Sequence, residues 1–130
     1  DTRAKAGSML GSAAVIVMDD TTCMVTATLR LAKFFAHESC GQCTPCREGT
    51  NWMKILLQRI ASGQGAESDL DLLARVVPNV GGISLCALGD AAQGPVRSLV
   101  DKWSDEIREN LRAGRYPATL PRYFDQGAAA

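Results

Sequence analysis

Four of the five cysteines of this chain follow a pattern that limits how the chain can fold. Cys40, Cys43 and Cys46 stand at every third position of the segment SCGQCTPC, and Cys86 follows forty residues later. A loop with this spacing can place three thiolates around a cuboidal iron–sulfur cluster, which is held by four thiolates. The pattern therefore predicts that the fold returns one distant cysteine to the loop, and Cys86 is the natural candidate.

Other interpretations of the cysteines remain open. Structural zinc sites usually draw their ligands from two C-x₂-C pairs or from a cysteine pair and a histidine pair, which this pattern matches poorly. An odd count of five cysteines in a helix-rich chain disfavours a secreted disulfide scaffold. The spacing also lacks the fourth cysteine of the two-cluster ferredoxin run. Cys23 is predicted to be a small buried apolar residue rather than the fourth ligand.

Length and charge narrow the possible functions. A chain of 130 residues with 46% hydrophobic residues suits one domain with a modest core. Fourteen Lys and Arg balance fourteen Asp and Glu, so nothing indicates nucleic acid or an anionic membrane surface as a partner. No apolar run approaches the ~20 residues that would span a bilayer. Since the chain begins with Asp1, we interpret it as the C-terminal piece of a longer protein or as one chain of an assembly.

Hydrophobic periodicity predicts a mainly α fold, a small bundle of about four helices that follows one strand. The apolar run at 14–18 predicts a buried strand. The helices are predicted over 22–37, from Pro45 with Thr44 as its cap to Gly63, from Ser68 to Pro78, and from Pro95 to Gly114. Trp52, Ile55, Leu56 and Ile60 are expected to form the inward stripe of the second helix, and Trp103 is expected in the core.

Two longer motifs resemble a known family. SCGQCTPCREG at 39–49, preceded by FFAHE, and ISLCALGD at 83–90 resemble the NADH-binding flavoprotein subunit of respiratory complex I. The same module occurs in diaphorase subunits of NAD-linked formate dehydrogenases and hydrogenases. The resemblance covers roughly residues 7–112. It implies that Cys40, Cys43, Cys46 and Cys86 hold one [4Fe–4S] cluster in a helical bundle.

The resemblance also implies a function and a domain arrangement. The module would relay single electrons from reduced FMN toward further clusters, within a multi-subunit NADH-oxidising complex that includes another iron–sulfur subunit. The family's Gly-rich FMN and NADH segments are not found in this chain, so both sites are expected on a missing upstream part. We expect residues 1–20 to end a β-grasp-like domain, 21–114 to form the iron–sulfur bundle and 115–130 to form an extended tail. The protein is expected in the cytoplasm, peripheral to the inner membrane, or on the matrix side in a eukaryote.

Five further residues are candidates near such a site. Gly41 would permit a tight turn close to sulfur, Arg47 would add positive charge, and His37 would tune the cluster or couple a proton to electron transfer. Arg47 and His37 also have simpler interpretations, as a surface arginine and as a histidine that caps a helix end or bonds a carbonyl. The resemblance implies that Gly89 and Asp90 face the flavin.

The alternative function, from another class, is a zinc-stabilised helical interaction module without redox function.

Overall fold

The computed structural model describes residues 2–5, 11 and 13–116, and the regular structure among them is helical. The helices are α1 (Thr2–Lys5), α2 (Met24–Glu38), α3 (Thr44–Ala61), α4 (Glu67–Val76) and α5 (Ala87–Arg112), and a 3₁₀ turn (Val77–Asn79) follows α4. The four longer helices α2 to α5 pack around one hydrophobic core. This arrangement confirms the predicted mainly α bundle of about four helices. The predicted tail at 115–130 lies almost entirely outside the described residues.

Helices α2, α4 and α5 bury the apolar stripes that their periodicity predicts. Val25, Leu29 and Ala32 of α2 are buried and stand about one helical turn apart. In α5, Val96, Leu99 and Ile107 are buried, and Trp103 packs against the core while remaining partly exposed. The buried residues of α4 and the 3₁₀ turn are Leu70, Leu73, Val76 and Val77. Burial of these apolar residues stabilises the packing of the helices against one another.

The predicted inward stripe of α3 is only half correct. Leu56 and Ile60 are buried, but Trp52 is 53% exposed and Ile55 is 44% exposed. The face that packs inward instead continues through Met53 and Leu57, both fully buried. Apolar residues cover more than one face of α3, so periodicity alone could not decide which face meets the core.

Three predicted boundaries are also wrong. Helix α5 begins at Ala87, so Pro95 lies inside the helix instead of opening it. A proline inside a helix removes one N–H donor, and the preceding Gly94 lacks the Cβ that would crowd the proline ring. Helix α3 begins at Thr44, which makes Cys43 and not Thr44 its N-cap. Helix α4 begins at Glu67 after the N-cap Ala66, whose N–H donates to the Asp69 carboxylate at 2.9 Å.

The predicted buried strand at 14–18 does not form within the described part of the chain. These residues have no regular secondary structure, and Val15 and Val17 are 87% and 90% exposed. A single strand cannot satisfy its own backbone groups, so such a segment needs a partner strand that the described residues do not provide. The assignment of residues 1–20 to a β-grasp-like domain stays a prediction.

A close approach between α3 and residue 80 positions the cysteine-bearing segments. A Cβ added to Gly49 would lie 2.2 Å from Cγ2 of Val80, which is nearer than two carbon atoms can approach. Gly49 and Val80 are both buried. Only a glycine therefore lets the first turns of α3, which carry Cys46, pack directly on the chain that leads to Cys86.

Ion pairs join α4 to the C-terminal half of α5. Arg112 donates to both oxygens of Glu67, with Nε–Oε1 and Nη2–Oε2 distances of 2.7 and 2.8 Å. Arg108 donates to Asp71 at 2.6 Å and to Glu67 at 3.4 Å. The hydrogen bonds from Arg112, followed by its charge and those of Arg108, hold the pKa of Glu67 below its ordinary value.

Replacing Gly49 with alanine is expected to destabilise the bundle by about 1–3 kcal/mol, although alanine favours helix. The added methyl group would overlap Val80. Chemical denaturation of G49A, V80A and the double variant measures the coupling between the two positions. We expect the double variant to be more stable than the sum of the two single destabilisations predicts.

Gln58→Ala, on the exposed side of α3, is the control and should change stability by less than about 0.5 kcal/mol. Additive effects of G49A and V80A would contradict the close contact.

Replacing Glu67 with glutamine is expected to remove a pH-dependent contribution to stability. The pKa of Glu67 is depressed in the folded state. The stabilisation is therefore present above the ordinary glutamate value of about 4.3 and is lost as the pH falls through the lower folded-state pKa. Thermal unfolding followed by circular dichroism should show E67Q melting below the wild type at pH 7, with the difference closing below about pH 4. The control Asp105→Asn, at an exposed site of α5, should show no melting-temperature difference from the wild type that disappears at low pH. A melting-temperature difference between E67Q and the wild type that stays constant with pH would argue against the ion pair.

Candidate metal centre

The cysteine loop connects the end of α2 to the start of α3. Gly41 adopts a φ of +77°, a left-handed conformation that other residues rarely tolerate, and it turns the chain between Cys40 and Cys43. Cys43 is extended, with φ and ψ of −106° and 138°, and is the N-cap of α3. Pro45 occupies the first turn of this helix, where its missing N–H has no consequence. Local sequence thus fixes the conformation of the loop, along which the cysteines pass from exposed at Cys40 to buried at Cys46.

The four candidate ligands differ in exposure. Cys40 and Cys86 are exposed, Cys43 is half-buried, and Cys46 is only 6% exposed in the first turn of α3. Cys86 is extended, with φ and ψ of −141° and 168°, and is the N-cap of α5. Two of the four cysteines, Cys43 and Cys86, therefore stand at the N-terminal ends of helices, which carry partial positive charge.

The two cysteine segments meet at the Cys43 thiol. The backbone N–H of Leu85, the residue before Cys86, hydrogen-bonds this thiol, and the N–H of Cys46 does the same. These two backbone hydrogen bonds, the one from Leu85 first, lower the pKa of Cys43 from its usual value. A lowered pKa favours the thiolate, the form that binds iron. The fold thus brings the distant cysteine's segment back to the loop.

Residues 80–86 form a turn that presents Cys86. The Ser84 hydroxyl donates to the Val80 carbonyl at 2.7 Å, and the Gly82 N–H donates to the Asp90 carboxylate at 2.6 Å. A Cβ on Gly89 would lie 2.2 Å from Ser84 Oγ, so this buried position also requires a glycine. Gly89 and Asp90 therefore have roles within the chain itself, and their predicted contact with a flavin stays a prediction.

Polar groups around the loop hold it in place. The Arg47 guanidinium donates to the Gly41 carbonyl at 2.7 Å and pairs with the Glu48 carboxylate at 2.9 Å, so Glu48 offsets part of its charge. The Thr50 hydroxyl, which is buried, donates to the Cys46 carbonyl at 2.8 Å. His37 is exposed, with Nδ1 lying 3.0 Å from Glu38. The tuning roles predicted for Gly41, Arg47 and His37 stay predictions.

Sequence analysis did not single out three hydroxyl groups beside the cysteines. Ser39 Oγ lies 3.4 Å from Cys46 Sγ, Ser84 lies beside Cys43, and Thr50 bonds the backbone of Cys46. Ser39 directly precedes Cys40 and Ser84 stands two residues before Cys86. A search for hydroxyl donors within a few residues of each cysteine would have found these two. Thr50 follows Cys46 by one helical turn, the spacing at which its hydroxyl reaches that carbonyl.

Cys23 lies far from this arrangement. It is the N-cap of α2, at the opposite end of that helix from Ser39. A helix of 15 residues spans about 22 Å. Cys23 is half-buried, packs against the core and lines a groove with Trp103 and Tyr116. Cys23 is thus half-buried and not fully buried as predicted, while its packing against the core agrees with the predicted apolar role.

The cysteine set fits an iron–sulfur cluster in its chemistry. All five cysteines are free, and backbone N–H groups already point at one thiol of the set. Among the described residues, no three Cys, His, Asp or Glu side chains converge tightly enough to hold a single metal ion. A cuboidal cluster is larger than one ion, and its thiolates surround the corners rather than meeting at one point.

Comparison with known proteins identifies the family. Residues 26–110 match the model of the NADH-ubiquinone oxidoreductase-F iron-sulfur binding region. The chain belongs to this family. The matched residues include the whole cysteine loop and the turn that carries Cys86.

Curated relatives of this family member are long proteins, each a subunit of an NADH-quinone oxidoreductase. The relative in Streptomyces coelicolor is 50% identical over 106 residues, which are 82% of this chain and 24% of the relative. The corresponding proteins of Rickettsia felis and Rhodobacter capsulatus are each 46% identical and are covered to 26% and 25%. The chain thus spans about a quarter of the length of the curated relatives it matches.

Solved structures share the fold of this family member. The NAD⁺-reducing [NiFe]-hydrogenase in the H₂-reduced state matches 72% of the chain and 16% of the hydrogenase chain, with a TM-score of 0.67 and 36% identity. The air-oxidized state matches 87% of the chain and 22% of its own chain, with a TM-score of 0.68 and 31% identity. No described helix has the length and hydropathy needed to cross a lipid bilayer.

We expect Cys86→Ser to lose or degrade the cluster and Cys23→Ser to retain it. Cys86 lies next to the residue that touches Cys43, whereas Cys23 lies at the far end of α2. Iron content and the visible absorption of anaerobically purified variants measure the outcome. Cys23→Ser is the matched control, since it removes one thiol from the same protein. Loss of iron from Cys23→Ser together with retention in Cys86→Ser would reverse the assignment.

Proposed function

We propose that this chain is the electron-transfer module of the flavoprotein component of an NADH:quinone oxidoreductase, and that Cys40, Cys43, Cys46 and Cys86 hold its [4Fe–4S] cluster. The observation that carries the proposal is the return of the Cys86 segment to the cysteine loop: Gly49 of α3 packs directly on Val80, and the backbone of Leu85 lowers the pKa of Cys43. Membership of a family described as an iron-sulfur binding region supports it.

A [4Fe–4S] cluster supplies one-electron chemistry when it is bound. The residues of this chain have to gather four thiolates, whose negative charges repel one another. The N-terminal ends of α3 and α5 and the N–H groups of Leu85 and Cys46 offset this repulsion. Burial of Cys46 limits the access of water on the core side, while Cys40 and Cys86 keep the opposite side open.

The remainder of the proposed enzyme lies outside this chain. We propose that an upstream part binds NADH and FMN, that reduced FMN is the electron source, and that another iron–sulfur subunit of the same complex is the acceptor. The names of the relatives, which are subunits of NADH-quinone oxidoreductases, support this placement. We further propose a peripheral position on the cytoplasmic face of the inner membrane, or on the matrix side in a eukaryote.

The second candidate is the same module in an NAD-linked hydrogenase or formate dehydrogenase. The observation that favours it is the structural match to the NAD⁺-reducing [NiFe]-hydrogenase. Those structures are 31–36% identical to the chain, whereas the NADH-quinone oxidoreductase relatives reach 45–50%. The higher identity supports the quinone-linked complex. Mass spectrometry of the chains that co-purify with this protein separates the two.

Anaerobically prepared protein is expected to contain about four irons and four acid-labile sulfides per chain, as one [4Fe–4S] cluster requires. It should be brown and should bleach with dithionite. Metal analysis, sulfide analysis and absorption spectra measure these properties. The competing zinc-stabilised module predicts a colourless protein with stoichiometric zinc and no sulfide, and that result would overturn the proposed function.

A further inference from the structure

The Ser39 hydroxyl lies next to the sulfur of one candidate ligand. Its Oγ lies 3.4 Å from the sulfur of Cys46, within hydrogen-bond range for sulfur. We propose that the Ser39 hydroxyl donates a hydrogen bond to the Cys46 thiolate and thereby raises the reduction potential of the cluster. Ser39 is thus a positioning and tuning residue. The inference rests on the proposed function, because it requires a cluster on Cys46.

The direction of this hydrogen bond follows from the other partner of Ser39. The Gly41 N–H donates to Ser39 Oγ at 3.4 Å, so this contact uses the oxygen as an acceptor. A hydroxyl has one hydrogen and two lone pairs, which leaves the hydrogen free. A thiolate has no hydrogen to give, so in the contact with Cys46 the hydroxyl must be the donor.

Burial makes the Cys46 contact effective. Cys46 is the one buried cysteine of the loop, and Ser39 is half-buried. Water competes little for a sulfur in this position, and a hydrogen bond in a low-dielectric environment is electrostatically stronger than one in water. Cys40 and Cys86, by contrast, are exposed, so solvent can supply their hydrogen bonds.

The effect on the potential has a definite sign. Reduction adds one electron to the cluster, and part of the added negative charge resides on the thiolate sulfurs. A donor aimed at such a sulfur stabilises the reduced form more than the oxidised form. The Ser39 hydroxyl should therefore raise the potential, and its removal should lower it.

Ser84 is a second serine beside a ligand sulfur. Its hydroxyl is one of the groups that lower the pKa of Cys43. The same hydroxyl donates to the Val80 carbonyl at 2.7 Å and so supports the turn that carries Cys86. Replacing Ser84 would therefore alter that turn as well as the contact with the sulfur, and Ser84 is not a control for Ser39.

The test compares S39A, S39T and T50V in the complete, cluster-loaded protein by EPR-monitored redox titration. S39A is expected to lower the midpoint potential by an amount that corresponds to an about tenfold change in the reduced-to-oxidised ratio, ~59 mV for one electron. S39T keeps the hydroxyl and should restore the wild-type potential. T50V should stay close to the wild type, since Thr50 donates to the Cys46 carbonyl and not to its sulfur.

An unchanged potential in S39A, or equal shifts in S39A and T50V, would overturn the inference. Iron and sulfide analysis of the wild type is run in parallel, because absence of a cluster there rejects the proposed function and not only the role of Ser39. If S39A fails to retain its cluster, S39G, which also lacks the hydroxyl, replaces it in the titration. A lower potential in S39G than in S39T and the wild type supports the hydrogen bond, and equal potentials in the three proteins refute it.

Discussion

Gly49 has no side chain, and so α3 can lie against Val80 at a distance that a methyl group would prevent. Much of the candidate centre depends on this approach. Val80 begins the turn in which the Ser84 hydroxyl caps the Val80 carbonyl, and that turn delivers the Leu85 N–H to Cys43. A second glycine, Gly89, lets α5 start directly beneath Ser84. Two missing side chains, rather than an attractive contact, thus allow segments forty residues apart to meet.

The hydrogen bonds of the centre are concentrated on its buried side. Ser39 lies against Cys46, and the N–H groups of Leu85 and Cys46 itself point at Cys43. Cys40 and Cys86 are exposed, and water can reach their sulfurs. This asymmetry has a physical reason. A negative charge that loses water on burial needs protein donors in its place, whereas an exposed charge does not.

Residue spacing predicted the features that depend on neighbouring residues in the sequence. It failed for the features that depend on packing between segments far apart in the chain. The cysteine pattern predicted that the segment of Cys86 returns to the loop, because three ligands leave one position open. Periodicity predicted the four helices of the bundle. It could not predict that Trp52 faces outward, because both faces of α3 carry apolar residues and only the position of α2 and α4 selects one. It also placed the start of α5 at Pro95, although a glycine before the proline lets the helix continue from Ala87. The strand at 14–18 needed a partner strand, and an apolar run does not indicate whether one is present.

The two ends of α5 are fixed by different kinds of interaction. Near its C-terminal end, Arg112 and Arg108 bind the carboxylates of α4, and apolar residues such as Ile107 are fully buried. At its N-terminal end, about 39 Å away along a 26-residue helix, the turn before Cys86 exposes Leu85 to 77% and is held by a few polar contacts. Regions with few buried apolar contacts open at lower free energy than the core does. Binding free energy at a site that the unfolded chain lacks is also folding free energy. An iron–sulfur cluster on these cysteines would therefore stabilise the end of the bundle that the hydrophobic core stabilises least.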